Sequence, residues 1–178
     1  MGRPRKLIIH VVERAFVKGA CIPSVSLEIL GYVRFAMQGL GKRVEEFIKR
    51  VEVNDARAMY VLGSYYSQGS GGLQQDRTKA NELFVRAADL DYSKAHFSLG
   101  LYYRAGGDLK KAKFHYEAAA MAGHEGARCN IGAIEAESGK RERAVKHWII
   151  AASAGEYNAM HNLLGDFEQG LVSRDTFD

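Results

Sequence analysis

In the segment HYEAAAMAGHEGARCNIG, residues 115–132, two histidines, two glutamates and a cysteine fall within 18 residues. Side chains of these types hold transition metals or move protons when a fold brings them together. Their spacing here matches none of the arrangements that do so. His124-Glu125 opens an H-E-x-x-H pattern, but Arg128 stands where the second histidine would be. The chain has no C-x2-C or H-x3-H pair from which to build a structural zinc site. Two other stretches, GLGKR at 39–43 and ESGKR at 137–141, end like a phosphate-binding loop. Ala36 and Ile134 occupy the place of its first glycine, and no Ser or Thr follows the lysine. Both read as turns between helices. Cys129 has no histidine and Asn/Asp partner that the sequence places beside it, so it reads as a structural thiol. The expectation is a chain with no catalytic residues, no metal site and no cofactor.

The spacing of the 115–132 cluster has a different origin, an internal repeat. KANELFVRAADLD (79–91), KAKFHYEAAAMAG (111–123) and RAVKHWIIAASAG (143–155) align at an offset of 32 residues. Each has an alanine (80, 112, 144), an aromatic four residues on (Phe84, Tyr116, Trp148) and then an Ala-Ala pair. A second set alternates with the first: ARAMYVLGSYYSQG (56–69), SKAHFSLGLYYRAG (93–106), GARCNIGAIEAESG (126–139) and NAMHNLLGDFEQG (158–170). Its anchors are Ala58, Ala95, Ala127 and Ala159. The first step is longer than 32 because SGGLQQ extends one turn.

Apolar and small residues recur at i, i+3/i+4 and i+7 in both sets, which predicts helices. Glycine-containing turns such as Gly106-Gly107-Asp108 predict antiparallel neighbours. Gly63, Gly100 and Gly132 recur in mid-helix, where each costs about 1 kcal/mol relative to Ala. That cost predicts close approach of the partner helix at this position. The fold class is therefore all-α, an α-solenoid of stacked antiparallel hairpins.

The pattern A-x3-L-G-x2-Y followed by K/R-A-x3-aromatic-x2-A-A-x2-G resembles the Sel1-like repeat family, a relative of the tetratricopeptide repeats. It spans about residues 56–170, as three full repeats and a partial fourth. The departures are Asp91 for the closing glycine of repeat one, Glu135 for the tyrosine of repeat three, and Leu164 for the glycine of repeat four. Residues 43–55 are expected to form a capping helix, with Phe47 at the aromatic position. Residues 1–42 are expected to be a mainly helical extension, with Ser24 or Ser26 as a helix cap. The resemblance implies a non-enzymatic scaffold or adaptor that binds a protein or peptide. Some relatives place a zinc-binding RING before the repeats, which implies a role in ubiquitin-ligase assemblies. No such Cys/His array precedes residue 43 here.

Solenoid ligands bind along the first helix of each pair. Counting from the recurring glycine, the candidate partner-binding residues are Tyr60 and Ser64, Phe97 and Leu101, Cys129 and Asn130, and His161 and Asn162. Arg57 and Lys94 flank them. The open ends of the array are candidate sites of self-association.

Charge points to a second class of partner. Residues 1–50 hold ten Lys/Arg against four Asp/Glu, whereas residues 51–178 hold fifteen against seventeen. The basic character thus lies ahead of the repeats, and the body of the chain gives no argument for nucleic acid. GRPRK at 2–6 resembles an AT-hook, which implies Arg3, Arg5 and Lys6 in the minor groove of A·T-rich DNA, and a nuclear adaptor. No apolar run is long enough to span a membrane, and Glu13-Arg14 interrupt the one that could pass for a secretory signal. Two distant cysteines suggest no disulfide framework, so a reducing, cytoplasmic setting is expected.

Overall fold

The computed structural model describes residues 27–171, apart from the side chains of 27–38 and 40. Ser24, Ser26, Cys21 and the basic residues Arg3, Arg5 and Lys6 lie outside the described residues. Eight helices and no strand occur among those described. The chain divides into two compact units, residues 1–83 and 84–178.

The first unit contains α1 (Leu27–Glu52), α2 (Ala56–Gln68) and the first turns of α3 (Arg77–Ala88). The turn expected at 39–43 is absent, because α1 runs through Gly39 and Gly41 without a break. Nothing lies near enough to touch a β-carbon at either glycine. Their low propensity is offset by Met37, Gln38, Leu40, Lys42 and Arg43, all good helix formers. The expected capping helix is consequently the last ten residues, 43–52, of a 26-residue helix, and 53–55 lie beyond its end. It packs against α2 through buried Val44 and through an edge-on contact of Phe47 with Tyr65, ring centroids 6.1 Å apart. Asp55 joins the two helices. One carboxylate oxygen accepts from Ala58 N at 2.9 Å and caps α2, while the other accepts from Arg50 Nε at 2.9 Å.

The second unit contains the end of α3, then α4 (Ser93–Ala105), α5 (Leu109–Met121), α6 (Glu125–Glu137), α7 (Arg141–Ser153) and α8 (Tyr157–Glu168). One sixteen-residue grammar builds it. Gly107, Gly123, Gly139 and Gly155 each hold a left-handed φ of 74–93°, and each ends a helix. The next residue donates its N–H back into the last turn, as from Asp108 N to Tyr103 O at 2.9 Å and from Lys140 N to Glu135 O at 2.8 Å. That next residue is also the cap of the following helix: Asp108 accepts from Lys111 N, His124 from Ala127 N, and Glu156 from Asn158 N.

Packing follows from the repeated positions. At Gly100 a β-carbon would fall well inside van der Waals contact with the Tyr116 ring, and at Gly132 with the Trp148 indole. The bare backbone admits the ring, so α4 seats on α5 and α6 on α7. Trp148 Nε1 donates to the Cys129 carbonyl at 3.1 Å, which satisfies the only polar atom of a buried indole. Ala112, Ala119, Ala120 and Ala127 pack with Tyr116, Ile131 and Ile134 in one layer. Ala144, Ala151 and Ala159 pack with Val145, Trp148 and Leu163 in the next.

Two carboxylates near the ends of first helices, Glu135 at the tyrosine position and Asp166 one position before it, also pack. Glu135, 4% exposed, accepts from Lys113 Nζ at 2.5 Å. That bond holds its carboxyl below the usual range and raises Lys113. Asp166, 6% exposed, accepts from Arg141 Nη1 at 3.0 Å. Each buried carboxylate bridges its helix to a cation on a neighbouring one.

Candidate functional site

The first helices of repeats two, three and four, α4, α6 and α8, each send side chains into one groove of about 370 Å³. Cys129 and Ala133 of α6 form its floor, with Phe97 of α4 on one side. Asn130 of α6 and Asn158 and Asn162 of α8 supply amides, and His124 and Glu156 close it at the turns.

Phe97 is half-buried, packed on the Tyr116 layer with ring centroids 6.0 Å apart. Its other face carries the His124 imidazole, centroids 4.2 Å apart and planes 20° from parallel. His124 Nδ1 accepts from Ala127 N at 3.3 Å, so the neutral ring carries its proton on Nε2. Burial pushes this histidine below its ordinary value, which keeps it neutral near pH 7. The Cys129 thiol is buried and is pushed up, first by burial and then by the Glu156 charge. It is protonated and unreactive at neutral pH. Asn162 Nδ2 lies 3.7 Å from its sulfur. The Glu156 carboxylate caps α8 and accepts from Asn158 Nδ2 at 2.8 Å. Asn130 makes no hydrogen bond through its side chain among the described residues, and Asn162 makes none besides that weak contact.

The arrangement holds no nucleophile, no activated base and no converging carboxylates. It presents stacked rings, small residues, side-chain amides with unused donors and acceptors, and a single carboxylate residue, Glu156. Features of these kinds suit non-covalent contacts with a ligand.

Of the residues named from the repeat register, Phe97, Cys129, Asn130 and Asn162 line this groove. Lys94, Leu101 and His161 belong to the same unit, are exposed and do not line it. Arg57, Tyr60 and Ser64 lie on α2 in the first unit, with Arg57 exposed and Tyr60 half-buried. The Ser64 hydroxyl donates to the Tyr60 carbonyl at 2.9 Å. The register did not yield His124, Glu156 or Asn158, which enter the groove from helix N-termini.

The 115–132 cluster comes apart in three dimensions. His115 meets His96, Nδ1 to Nδ1 at 3.1 Å, and stacks on Tyr103, while His124 faces Phe97. Among the described residues no group of three or more His, Cys, Asp or Glu is placed to hold a metal. Nor is any described helix long and apolar enough to cross a membrane.

The Sel1 repeat family matches residues 56–92, 93–124 and 138–156. The chain belongs to that family, and its fold is an all-α solenoid of helical hairpins. The family generally serves in protein–protein interaction. Among solved structures, a protective antigen of uropathogenic Escherichia coli with an SLR fold is 29% identical, with a TM-score of 0.64 over 71% of this chain. A Sel1 repeat protein from Oxalobacter formigenes is 26% identical, with a TM-score of 0.67 over 74%. MamA is 28% identical, with a TM-score of 0.51 over 74%. The chain spans 29%, 56% and 77% of those three chains respectively. No curated protein matches it.

Proposed function

We propose that this protein is a non-catalytic scaffold that binds an extended segment of a partner protein in the groove between α4, α6 and α8. The observation that carries this reading is the pair Asn130 and Asn162. They occupy the same repeat position 32 residues apart, both enter the groove, and neither amide is used up inside the protein. A side-chain amide offers one acceptor and two donors, the complement of a peptide unit. Two of them on successive first helices suit a backbone running across the helices. Phe97, Cys129 and Ala133 leave room for a small or apolar side chain of the ligand. Glu156 is the one carboxylate lining the groove, and the imidazole and thiol beside it are neutral. A neutral or basic segment is therefore preferred over an acidic one. Self-association through an end of the repeat array belongs to the same reading of the chain as an interaction module.

Panning a random peptide library against the full chain tests the proposal. Enriched peptides bind the wild type and lose at least roughly tenfold in affinity on Asn130→Ala/Asn162→Ala, about 1.4 kcal/mol. Enriched peptides that bind the double variant as well as the wild type would overturn it.

A further inference from the structure

The face of α8 turned away from the groove is apolar along its whole length. Tyr157, Met160, Leu164 and Phe167 stand at i, i+3, i+7 and i+10, and are 70, 50, 58 and 40% exposed. Ala159, Leu163 and Asp166 face inward, and Asn158 and Asn162 serve the groove, so the stripe is a separate third face. Exposed large side chains at this spacing form the seam by which one helix packs on another.

The stripe departs from the equivalent positions of the earlier repeats. One repeat earlier, the same four positions are Glu125, Arg128, Gly132 and Glu135; two repeats earlier they are Ser93, His96, Gly100 and Tyr103. In those repeats the glycine admits the aromatic ring of the hairpin's own second helix at a distance no β-carbon tolerates. Leu164 stands at that glycine position, so α8 cannot receive a second helix as α4 and α6 do. Its seam needs a partner helix at a larger separation, one that meets side chains with side chains. The register reads the same from both ends: Tyr157 and Phe167, and likewise Met160 and Leu164, are equidistant from residue 162. An antiparallel copy centred there sets aliphatic against aliphatic and aromatic against aromatic. His161 and Glu168 lie at its wet edge, both exposed.

We infer that α8 pairs with α8 of a second copy about a twofold axis at the level of residue 162, with Met160 of one copy opposite Leu164 of the other and Tyr157 opposite Phe167. This deepens the self-association part of the scaffold reading and leaves both grooves open, because Asn158 and Asn162 face away from the seam.

Sedimentation of the full chain, from low micromolar to a few hundred micromolar, reads the association directly. A monomer–dimer equilibrium is expected, and Leu164→Glu is expected to raise the dimer dissociation constant by roughly a hundredfold. Leu164 is exposed, and unchanged circular dichroism separates this effect from misfolding. Register is read by mixing a Met160→Cys chain with a Leu164→Cys chain, both also carrying Cys21→Ser, under mild oxidation. Cross-linked heterodimer in excess over either homodimer supports the antiparallel pairing. A wild type that stays monomeric throughout overturns the inference, whether the stripe is then left open, covered by residues 172–178 or reserved for another protein. A dimer indifferent to Leu164→Glu, or one cross-linked chiefly as a homodimer, overturns it equally. None of these outcomes bears on peptide binding in the groove, so the two readings fail separately.

Discussion

At the scale of single residues, the contact between Gly132 and Trp148 sets how closely α6 and α7 approach. The indole is 4% exposed and its N–H is bonded to the α6 backbone, so it cannot swing aside without losing that bond. A methyl group at position 132 must displace either the ring or the helix. Gly132→Ala is therefore expected to destabilise the chain by about 2 kcal/mol, although alanine is the better helix former by about 1 kcal/mol. Urea denaturation checks this, and a neutral or stabilising effect would mean that the helices are not held by this approach. The recurrence of glycine made the contact legible in the sequence. Identifying the chemistry of the groove took coordinates. Phe97, Cys129, Asn130 and Asn162 follow from repeat register, but His124, Glu156 and Asn158 stand at helix N-termini, where their direction depends on capping bonds. The His96–His115 contact joins residues 19 apart on two helices, and no spacing rule in the sequence marks it.

At the scale of elements, helices end where a left-handed residue is followed by a cap, and one departure tests that rule. Asp91, exposed and at φ 57°, adopts the conformation that Gly123 and Gly155 take at φ 82° and 93° in the later repeats. A residue with a β-carbon is disfavoured there, least so for Asn and Asp. Asp91→Gly should stabilise the chain by roughly 0.5–1 kcal/mol after the entropy that glycine itself loses on folding. A rise in Tm at unchanged denaturant m value is the expected observation, and a fall would show that the Asp91 side chain holds the turn in another way. The repeat helices were legible because alanine, glycine and aromatic positions recur together at one spacing. The continuity of α1 was not: helix was expected on either side of 39–43, but α1 lies outside that periodicity and two glycines inside it mimic a turn. Propensity alone does not separate a glycine tolerated in a helix from one that ends it, and here only the left-handed φ of the true terminators does.

At the scale of the whole molecule, three half-buried histidines, His115, His124 and His147, make stability depend on pH. Burial lowers His115, His124 and His147 from an ordinary value of 6.5, with a neighbouring His96 adding to the effect at His115 and Arg128 at His147. An imidazole whose folded value lies below its unfolded one binds protons more readily when unfolded, so stability rises with pH across that interval. The contribution is fully present above pH 6.5 and is lost as pH falls from there toward the folded values. Tm should accordingly drop between pH 7 and 5.5, a range in which few carboxylates titrate. A flat profile would place these rings in water. At the acid end of that interval His124, which stacks on Phe97 and lines the groove, takes up its proton in the folded chain, so ligand affinity should weaken below the pH at which Tm first falls.

The proposed role of the groove between α4, α6 and α8 is to hold the backbone of a partner's peptide segment. Calorimetric titration of one library-selected peptide into the wild type, Asn130→Ala/Asn162→Ala and Leu164→Glu tests it most directly. A loss of at least roughly tenfold is expected for the asparagine pair, and wild-type affinity for Leu164→Glu. Full affinity in the asparagine variant, or loss confined to Leu164→Glu, would contradict it and move the binding surface to the outer face of α8.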